Sequence, residues 1–358
     1  MQYTGTDRFV RAVGGQLSVD TLGYMVRGEL PPPPMAKNEQ TPSKKSLHEP
    51  RILDAPFLRA STQPFDVSGD LLGVQLGHSV TKRELYIYNI KTSSVLQTVP
   101  TSSDMTVVAW CDNVLYTAHK NGVVMWDANV LGTMIGWCIP NVQNITTLME
   151  KPAALAWSRD ASRANLEVYM LPSARSAFTL KLFDKPEALS THNYQVVVGY
   201  ADGMVVLHDL RKTGRPLSVL RLDHGVSGLS LGNTGVLAAD SSGCVTLNGR
   251  PVLDVGAKIC SLVSVPDKGT VIATGKALKK DGTANALATL TQKPWSSDLE
   301  VEKVYKFNKS HWLQHVCMSR NWLVAANPEQ TSRNGTLFLW DHSTPRKVAP
   351  SLFTPLIR

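Results

Sequence analysis

The chain is poor in cysteine and in long apolar runs, and each shortage excludes a class of protein. Its five cysteines among 358 residues are scattered and odd in number, without the paired Cys/His spacing of a zinc site. We therefore expect no metal, and reduced thiols that pack as small apolar groups. No run approaches the roughly 18 apolar residues that cross a membrane, so we expect no membrane partner.

Charge is also scarce, at 18% of residues, and moderately basic, with a net charge of +8. The densest basic cluster (Lys276, Lys279 and Lys280) has no aromatic residues between its lysines, so the pattern does not favour nucleic-acid binding. The apolar content of 43% can fill a large core, which excludes a chain that is disordered throughout.

Catalytic motifs are missing as well. The stretch Gly269–Lys276 resembles a phosphate-binding loop, but its glycines are one residue too far apart, and Ala277 stands where Ser or Thr binds magnesium. We therefore expect no catalytic residues, no cofactor and no enzyme activity. His119, His208 and His224 are interpreted as satisfying hydrogen bonds between strands rather than as metal ligands.

What the sequence does contain is a repeated unit. Residues 115–127, 196–209 and 323–341 each show an apolar run, a turn containing glycine, and an alternating run that ends at aspartate. Asn-Gly or Asp-Gly between two β-rich runs predicts a hairpin. The aromatic-Asp ending of Trp126-Asp127 and Trp340-Asp341 is typical of WD-repeat propeller blades.

The spacing of the repeats predicts seven blades. Residues 65–350 divide into seven units of about 41 residues, inside the range of WD repeats. We therefore predict an all-β, seven-bladed WD-repeat propeller, closed by a strand from near the linker because closure removes exposed edges. Composition divides the rest into a disordered N-terminal arm (1–50), a linker (51–64) and a tail (351–358). The predicted blades span residues 65–100, 101–137, 138–184, 185–221, 222–254, 255–307 and 308–350.

Three short segments outside the blades resemble one known family. They are Arg51-Ile-Leu-Asp-Ala-Pro56, Asp7-Arg8-Phe9-Val10-Arg11 and the final Ile357-Arg358. They are similar to the linker, the C-box and the Ile-Arg tail of the Fizzy/Fizzy-related family, the WD-repeat activators of the anaphase-promoting complex. The linker is nearer to the Fizzy branch. The chain departs from the C-box pattern at Arg11, where the family has proline, and at Val13, where it has arginine.

The resemblance implies a non-catalytic, substrate-recruiting activator of this ubiquitin ligase in cell-cycle control, present in the nucleus and cytoplasm. It implies ligase docking through Asp7, Arg8, Phe9, Val10, Ile357 and Arg358. The expected partners are ligase subunits with tetratricopeptide repeats, degron-bearing substrates and checkpoint proteins. Independently of the family, Arg8 offers a fork of donors for carboxylates, and Phe9 and Val10 offer apolar anchors beside it.

The family also implies a groove between the first and last blades that binds destruction-box peptides. Asp66 aligns with the first-blade aspartate of this groove, whereas Asn334-Gly335 replaces the last-blade acidic residue. We therefore expect weak or altered degron binding with Asp66 as the remaining anchor. The alternative is that Asp66 is only a turn residue at the blade entrance.

Two threonines are candidate phosphorylation sites. Thr41 and Thr344 are each followed by proline and then by basic residues, the pattern favoured by cyclin-dependent kinases. A phosphate at Thr41 would add nearly two negative charges between the docking arm and the propeller. A different function also stays open: the basic composition and degraded repeats would suit a general WD-repeat scaffold in a ribonucleoprotein or another assembly.

Overall fold

The computed structural model describes the repeat region and two short terminal strands. Every regular element among the described residues is a β-strand. The structure describes residues 36–37, 50–56, 58, 63–77, 83–101, 105–111, 114–120, 122–127, 134–160, 163–171, 173–212, 215–265, 269–278, 286–292, 299–306, 313, 315–319, 321–327, 334–341 and 354–355.

The strands form seven antiparallel sheets, each one blade. In chain order the first two strands are β1 (Ala36–Lys37) and β2 (Arg51–Pro56). Blade 1 contains β3 (Phe65–Ser68), β4 (Leu71–Gly77), β5 (Arg83–Asn89) and β6 (Ser94–Thr101). Blade 2 contains β7 (Met105–Cys111), β8 (Val114–His119), β9 (Gly122–Asp127) and β10 (Met134–Trp137). Blade 3 contains β11 (Val142–Leu148), β12 (Lys151–Asp160), β13 (Arg163–Met170) and β14 (Arg175–Leu182).

The remaining blades follow the same order, with two additions at their outer edges. Blade 4 contains β15 (Ala188–His192), β16 (Gln195–Gly199), β17 (Met204–Asp209) and β18 (Ser218–Arg221). Blade 5 contains β19 (Val226–Gly232), β20 (Gly235–Asp240), β21 (Cys244–Leu247), β22 (Arg250–Asp254) and β30 (Thr354–Pro355). Blade 6 contains β23 (Ala257–Val265), β24 (Gly269–Ala277), β25 (Ala286–Gln292) and β26 (Leu299–Lys306). Blade 7 contains β27 (His315–Met318), β28 (Trp322–Asn327), β29 (Asn334–Asp341), β2 and β1.

The prediction of an all-β, seven-bladed propeller is confirmed. Apart from the N-terminal and C-terminal strands added to blades 5 and 7, each blade's strands lie within its predicted segment. The one exception is Thr101, one residue beyond the predicted end of blade 1. The first strands of successive blades contact one another in chain order, and β27 contacts β3, so the ring closes.

Glycine turns and a buried indole show why the repeated unit folds as it does. Gly203 has φ +86°, and a Cβ there would lie 2.6 Å from the carbonyl oxygen of Leu222, so this turn requires glycine. In blade 2, Trp126 Nε1 donates a hydrogen bond of 2.9 Å to Thr117 Oγ1, which lies 3.1 Å from His119 Nε2. Trp126 therefore joins two strands of its blade, whereas this contact of His119 lies within its own strand, β8.

The core consists of apolar clusters between neighbouring blades. The cluster between blades 3 and 4 includes Leu180, Val198 and Val206, all with no exposed surface. Because one side of each sheet packs on the preceding blade and the other on the next, alternate residues of a strand enter different clusters. Val206 accordingly faces blade 3, whereas Val205 belongs to the cluster shared with blade 5.

Blade 7 is completed by the N-terminal strand β2. This strand pairs with β29 along its whole length, from Arg51 opposite Leu339 to Pro56 opposite Asn334. The prediction that a strand near the linker closes the last blade is therefore confirmed. No helix in the part of the chain that the structure describes is long and apolar enough to span a membrane.

Candidate functional site

The linker arginine connects the last blade to the first. Arg51 lies on β2 in blade 7, and its Nη1 donates hydrogen bonds to the backbone oxygen of Ile90 and to Ser93 Oγ, the latter at 2.7 Å. Its guanidinium also lies over the ring of Trp322, 5.7 Å from the centroid. The Arg-Ile-Leu-Asp-Ala-Pro segment therefore has two roles. It is the strand that completes blade 7, and its arginine forms hydrogen bonds between blades 7 and 1.

Two further side chains of blade 7 reach the first turn of blade 1. Trp322 Nε1 donates to Asp70 Oδ1 at 2.8 Å, and Ser319 Oγ donates to the Gly69 backbone oxygen at 3.0 Å. These bonds join residues about 250 positions apart in the chain. Sequence reasoning missed Trp322, Ser319 and Asp70. The tryptophan close to the last repeat was the one available signal for them.

Asp66, the predicted degron anchor, lies on the first strand of blade 1. It is half-buried, and its carboxylate accepts the backbone N–H of Val67 and that of Trp110, both at 2.8 Å. Trp110 belongs to blade 2, so the carboxylate joins two blades. Each carboxylate oxygen can accept a second bond, so a ligand guanidinium would have to share these oxygens with the two backbone groups.

The surroundings of Asp66 are electrostatically unusual. Burial raises the pKa of Asp66 to about 6, although the two backbone N–H groups oppose the shift. Across the seam on β27 in blade 7, burial and the Asp66 charge raise the pKa of the Cys317 thiol well above its ordinary value. The site therefore offers a carboxyl group with a raised pKa beside an unreactive thiol.

At the last-blade position of the predicted groove, where the family has an acidic side chain, the backbone of the closing strand lies close to Gly335. Asn334-Gly335 begins β29, directly opposite Pro56 and Ala55 of the closing strand. A Cβ on Gly335 would lie 2.6 Å from the Ala55 oxygen and 2.9 Å from Leu58 Cβ. Glycine here lets the closing strand approach, which is a physical reason for the loss of a longer side chain next to Asn334.

The other predicted site residues lie outside the described part of the chain. These are the ligase-docking residues Asp7, Arg8, Phe9, Val10, Ile357 and Arg358, and the phosphorylation candidates Thr41 and Thr344. Their roles stay predictions. Among the described residues, the structure contains no cluster of three or more His, Cys, Asp or Glu side chains that could hold a metal ion.

One interpretation from the sequence is wrong. His208 was expected to satisfy a hydrogen bond between strands, but it is buried on β17 and neither ring nitrogen has a hydrogen-bond partner. Its neighbours in the seam between blades 3 and 4 are apolar, since Val196 lies directly opposite it and Val206 precedes it on the same face. Burial accordingly lowers the pKa of His208, which favours the neutral ring.

Similarity to known proteins is found among solved structures and concerns the fold. No protein-family model matches the chain, and no curated protein matches it. Among solved structures, a chain of a mitotic checkpoint complex crystal structure is 17% identical. The match covers 86% of this chain and 99% of that one, with a TM-score of 0.64. The computationally designed protein Ika8 is 14% identical, with coverages of 80% and 97% and a TM-score of 0.54. With 1208 matching chains and such low identities, the similarity establishes the fold alone: a propeller of the kind found in a mitotic checkpoint complex.

Proposed function

We propose that this protein is a substrate-recruiting adaptor of a multi-subunit ubiquitin ligase of the anaphase-promoting type, acting in the nucleus and cytoplasm during the cell cycle. The observation that carries the proposal is the linker segment Arg51–Pro56. It resembles the family's linker in sequence and closes the propeller through blade 7. The fold shared with a chain of a mitotic checkpoint complex supports the same assignment and favours checkpoint proteins as further partners.

In this proposal the propeller is a rigid body and the two terminal segments dock it to the ligase. Arg8, with Phe9 and Val10, binds one tetratricopeptide-repeat subunit, and Ile357-Arg358 binds another. Two weak contacts on one rigid body bind tightly together because each raises the effective concentration of the other. A ligand site on the propeller then presents degron-bearing substrates, with no catalytic step on this chain.

Co-precipitation of the full chain with ligase subunits tests the docking. Arg8→Ala and deletion of residues 357–358 should each lower recovery about three- to tenfold, and the two combined should lower it further. Arg11→Ala is the matched control, because it removes an arginine from the same segment outside the docking residues. Wild-type recovery of the doubly changed protein, or recovery of ribonucleoprotein instead of ligase subunits, would refute the assignment in favour of a general scaffold.

Peptide titration tests the degron site separately. A destruction-box peptide should bind weakly, and Asp66→Asn should weaken it by no more than about fivefold, since a lone carboxylate stabilises a guanidinium by about 0.2–1 kcal/mol. Asp223→Asn, on the turn before blade 5, serves as a control of equal charge change. Tight binding that survives Asp66→Asn would place the peptide site elsewhere on the protein.

A further inference from the structure

The outer edges of two blades show how this propeller accepts an additional strand. β1 pairs antiparallel with the outer side of β2 in blade 7, through Ala36 and Lys37. β30 does the same on β22 in blade 5, through Thr354 and Pro355. Blades 7 and 5 therefore each carry a fifth strand from a segment outside the repeats, bound through backbone groups.

Blade 4 has an outer strand of the same kind, but no described strand covers it. β18 pairs with β17 on its inner side, with Arg221 opposite Met204. The N–H of Leu222, the next residue, points inward and donates to the Gly203 oxygen at 2.9 Å. Because antiparallel backbone groups alternate in direction, the N–H and C=O of Val219 and Arg221 point outward, away from β17.

The side chains along this edge are apolar and exposed. Leu217 is 47% and Val219 52% exposed, which puts them among the most exposed large apolar residues of the described chain. Val219 lies opposite Val206, and residues paired across strands share one face, so Val219 continues the face that packs on blade 3. An added strand with apolar residues at alternate positions would cover this face.

The charged side chains around β18 indicate which charges a bound segment should carry. Residues 211–221 contain Arg211, Lys212, Arg215 and Arg221 and no acidic residue. Asp209 engages Arg211 through two hydrogen bonds, of 3.0 and 2.8 Å, and Asp202 lies 3.7 Å from Arg221. Among the described residues, neither Lys212 nor Arg215 lies within ion-pair distance of a carboxylate, and both are exposed. Unpaired positive charge therefore stands on the N-terminal side of β18, whereas Arg221 at its C-terminal end lies beside Asp202.

We propose that the outer edge of blade 4, formed by β18 and its flanking basic residues, binds an extended segment of a partner protein as a fifth strand. The segment has apolar side chains at alternate positions, which cover Leu217 and Val219, and acidic residues at one end, which pair with Lys212 and Arg215. The backbone of the segment bonds to the outward groups of Val219 and Arg221. This site is separate from Asp66, which lies on the first strand of blade 1.

A fluorescent peptide, Glu-Asp-Val-Thr-Val-Thr-Asp-Glu, tests the proposal against the full chain. We expect saturable binding that weakens at least fivefold when the same residues are scrambled to break the alternation, or when lysine replaces the acids. Hydrogen exchange should show the N–H groups of Val219 and Arg221 becoming protected on binding. No binding at millimolar peptide, or equal binding of the scrambled peptide, would overturn the proposal.

Two variants locate the site. Val219→Pro removes an outward N–H and leaves the ladder bonds to β17 intact, so it should lower affinity at least fivefold. Leu96→Pro, at an exposed position on the outer strand of blade 1, is the matched control and should bind normally. If Val219→Pro does not fold, the double change Lys212→Glu and Arg215→Glu gives the same test at exposed positions. Wild-type affinity in the folded variants would overturn the proposal.

Discussion

Two seams of this propeller are built differently. The seam between blades 3 and 4 joins strands close in sequence and consists mainly of one apolar cluster, with a Thr146–Thr191 hydroxyl pair at 2.9 Å. The seam between blades 7 and 1 also has an apolar cluster, but it adds Arg51, Trp322 and Ser319, which bond to turns of blade 1. Of these two seams, the closing one has more directional bonds.

The difference follows from what each seam must specify. Neighbouring blades are connected by short segments, so apolar burial is enough to bring them together. The closing seam brings Ser319 and Trp322 against residues about 250 positions away, and the direct chain connection across it runs only from the added strand β2 to β3. Trp322 bonds to one acceptor in blade 1 and Arg51 to two, and these bonds select one arrangement of the last blade against the first.

The largest expected effect lies in the apolar seam. Leu180 has no exposed surface and lies in the cluster between blades 3 and 4. Leu180→Ala should lower the free energy of unfolding of the protein by about 2–5 kcal/mol, because the change leaves a cavity as well as removing buried apolar surface. Chemical denaturation measures it. Leu96→Ala, at a 47% exposed position of blade 1, should cost far less. A loss below 1 kcal/mol for Leu180→Ala would show that this seam is not held by packing.

The stability of the protein should depend on pH through Asp66, whose carboxylate bonds blade 1 to blade 2 and faces Cys317 of the closing seam. The pKa of Asp66 is raised from 3.8 to about 6, so the folded protein holds this proton more tightly than the unfolded chain, and stability falls as pH rises from about 4 to about 6. Asp66→Asn should remove that fall. Relative to the variant, the wild type should be about 1–3 kcal/mol more stable at pH 4 than at pH 7, measured by urea denaturation.

His315 on β27 is the control, because its effect on stability changes with pH in the opposite direction. Burial lowers its pKa from 6.5 to about 4, so the unfolded chain binds this proton more tightly, and stability falls as pH drops from about 6.5 to about 4. His315→Gln should flatten that part of the profile. Identical pH profiles for the wild type and both variants would show that neither group is buried as the structure has it.

The smallest effect compares two indole hydrogen bonds. Trp322→Phe removes the bond to Asp70 between blades, and Trp126→Phe removes the bond to Thr117 within a blade. Each should cost about 0.5–1.5 kcal/mol in unfolding free energy. Only Trp322→Phe should also raise the susceptibility of residues 51–56 to protease, because it loosens the closing seam. Equal protection of that segment in both variants would mean that the indole does not specify closure.

The sequence predicts the blades because they depend on local patterns, and it predicts a closing strand because a closed ring leaves no exposed edge. Gly-containing turns and alternating runs mark each hairpin, and Arg51–Pro56 is recognisable as a segment. The bonds from Trp322 to Asp70 and from Trp110 to Asp66 could not be predicted, since they join residues 252 and 44 positions apart without a pattern of their own. The fifth strands β1 and β30 are two residues long, too short for any alternation to appear.

His208 is a residue for which a local expectation from the sequence was wrong. A histidine on a strand usually finds a donor or an acceptor nearby, and this expectation was wrong because valines occupy the positions around it. The side-chain environment of a strand residue depends on the next blade as well as on its own hairpin. Sequence period gives the face on which a residue lies, but it does not give the polarity of the surface opposite.

Closure by an N-terminal strand has a consequence during synthesis. On the ribosome, residues 51–56 emerge early, but their partner β29 follows about 280 residues later. At about 5–20 residues per second, the nascent chain carries this unpaired strand for roughly 15–60 s before the ring can close. During this interval the strand is open to pairing with other chains, so the protein should depend on chaperones until its last blade is translated.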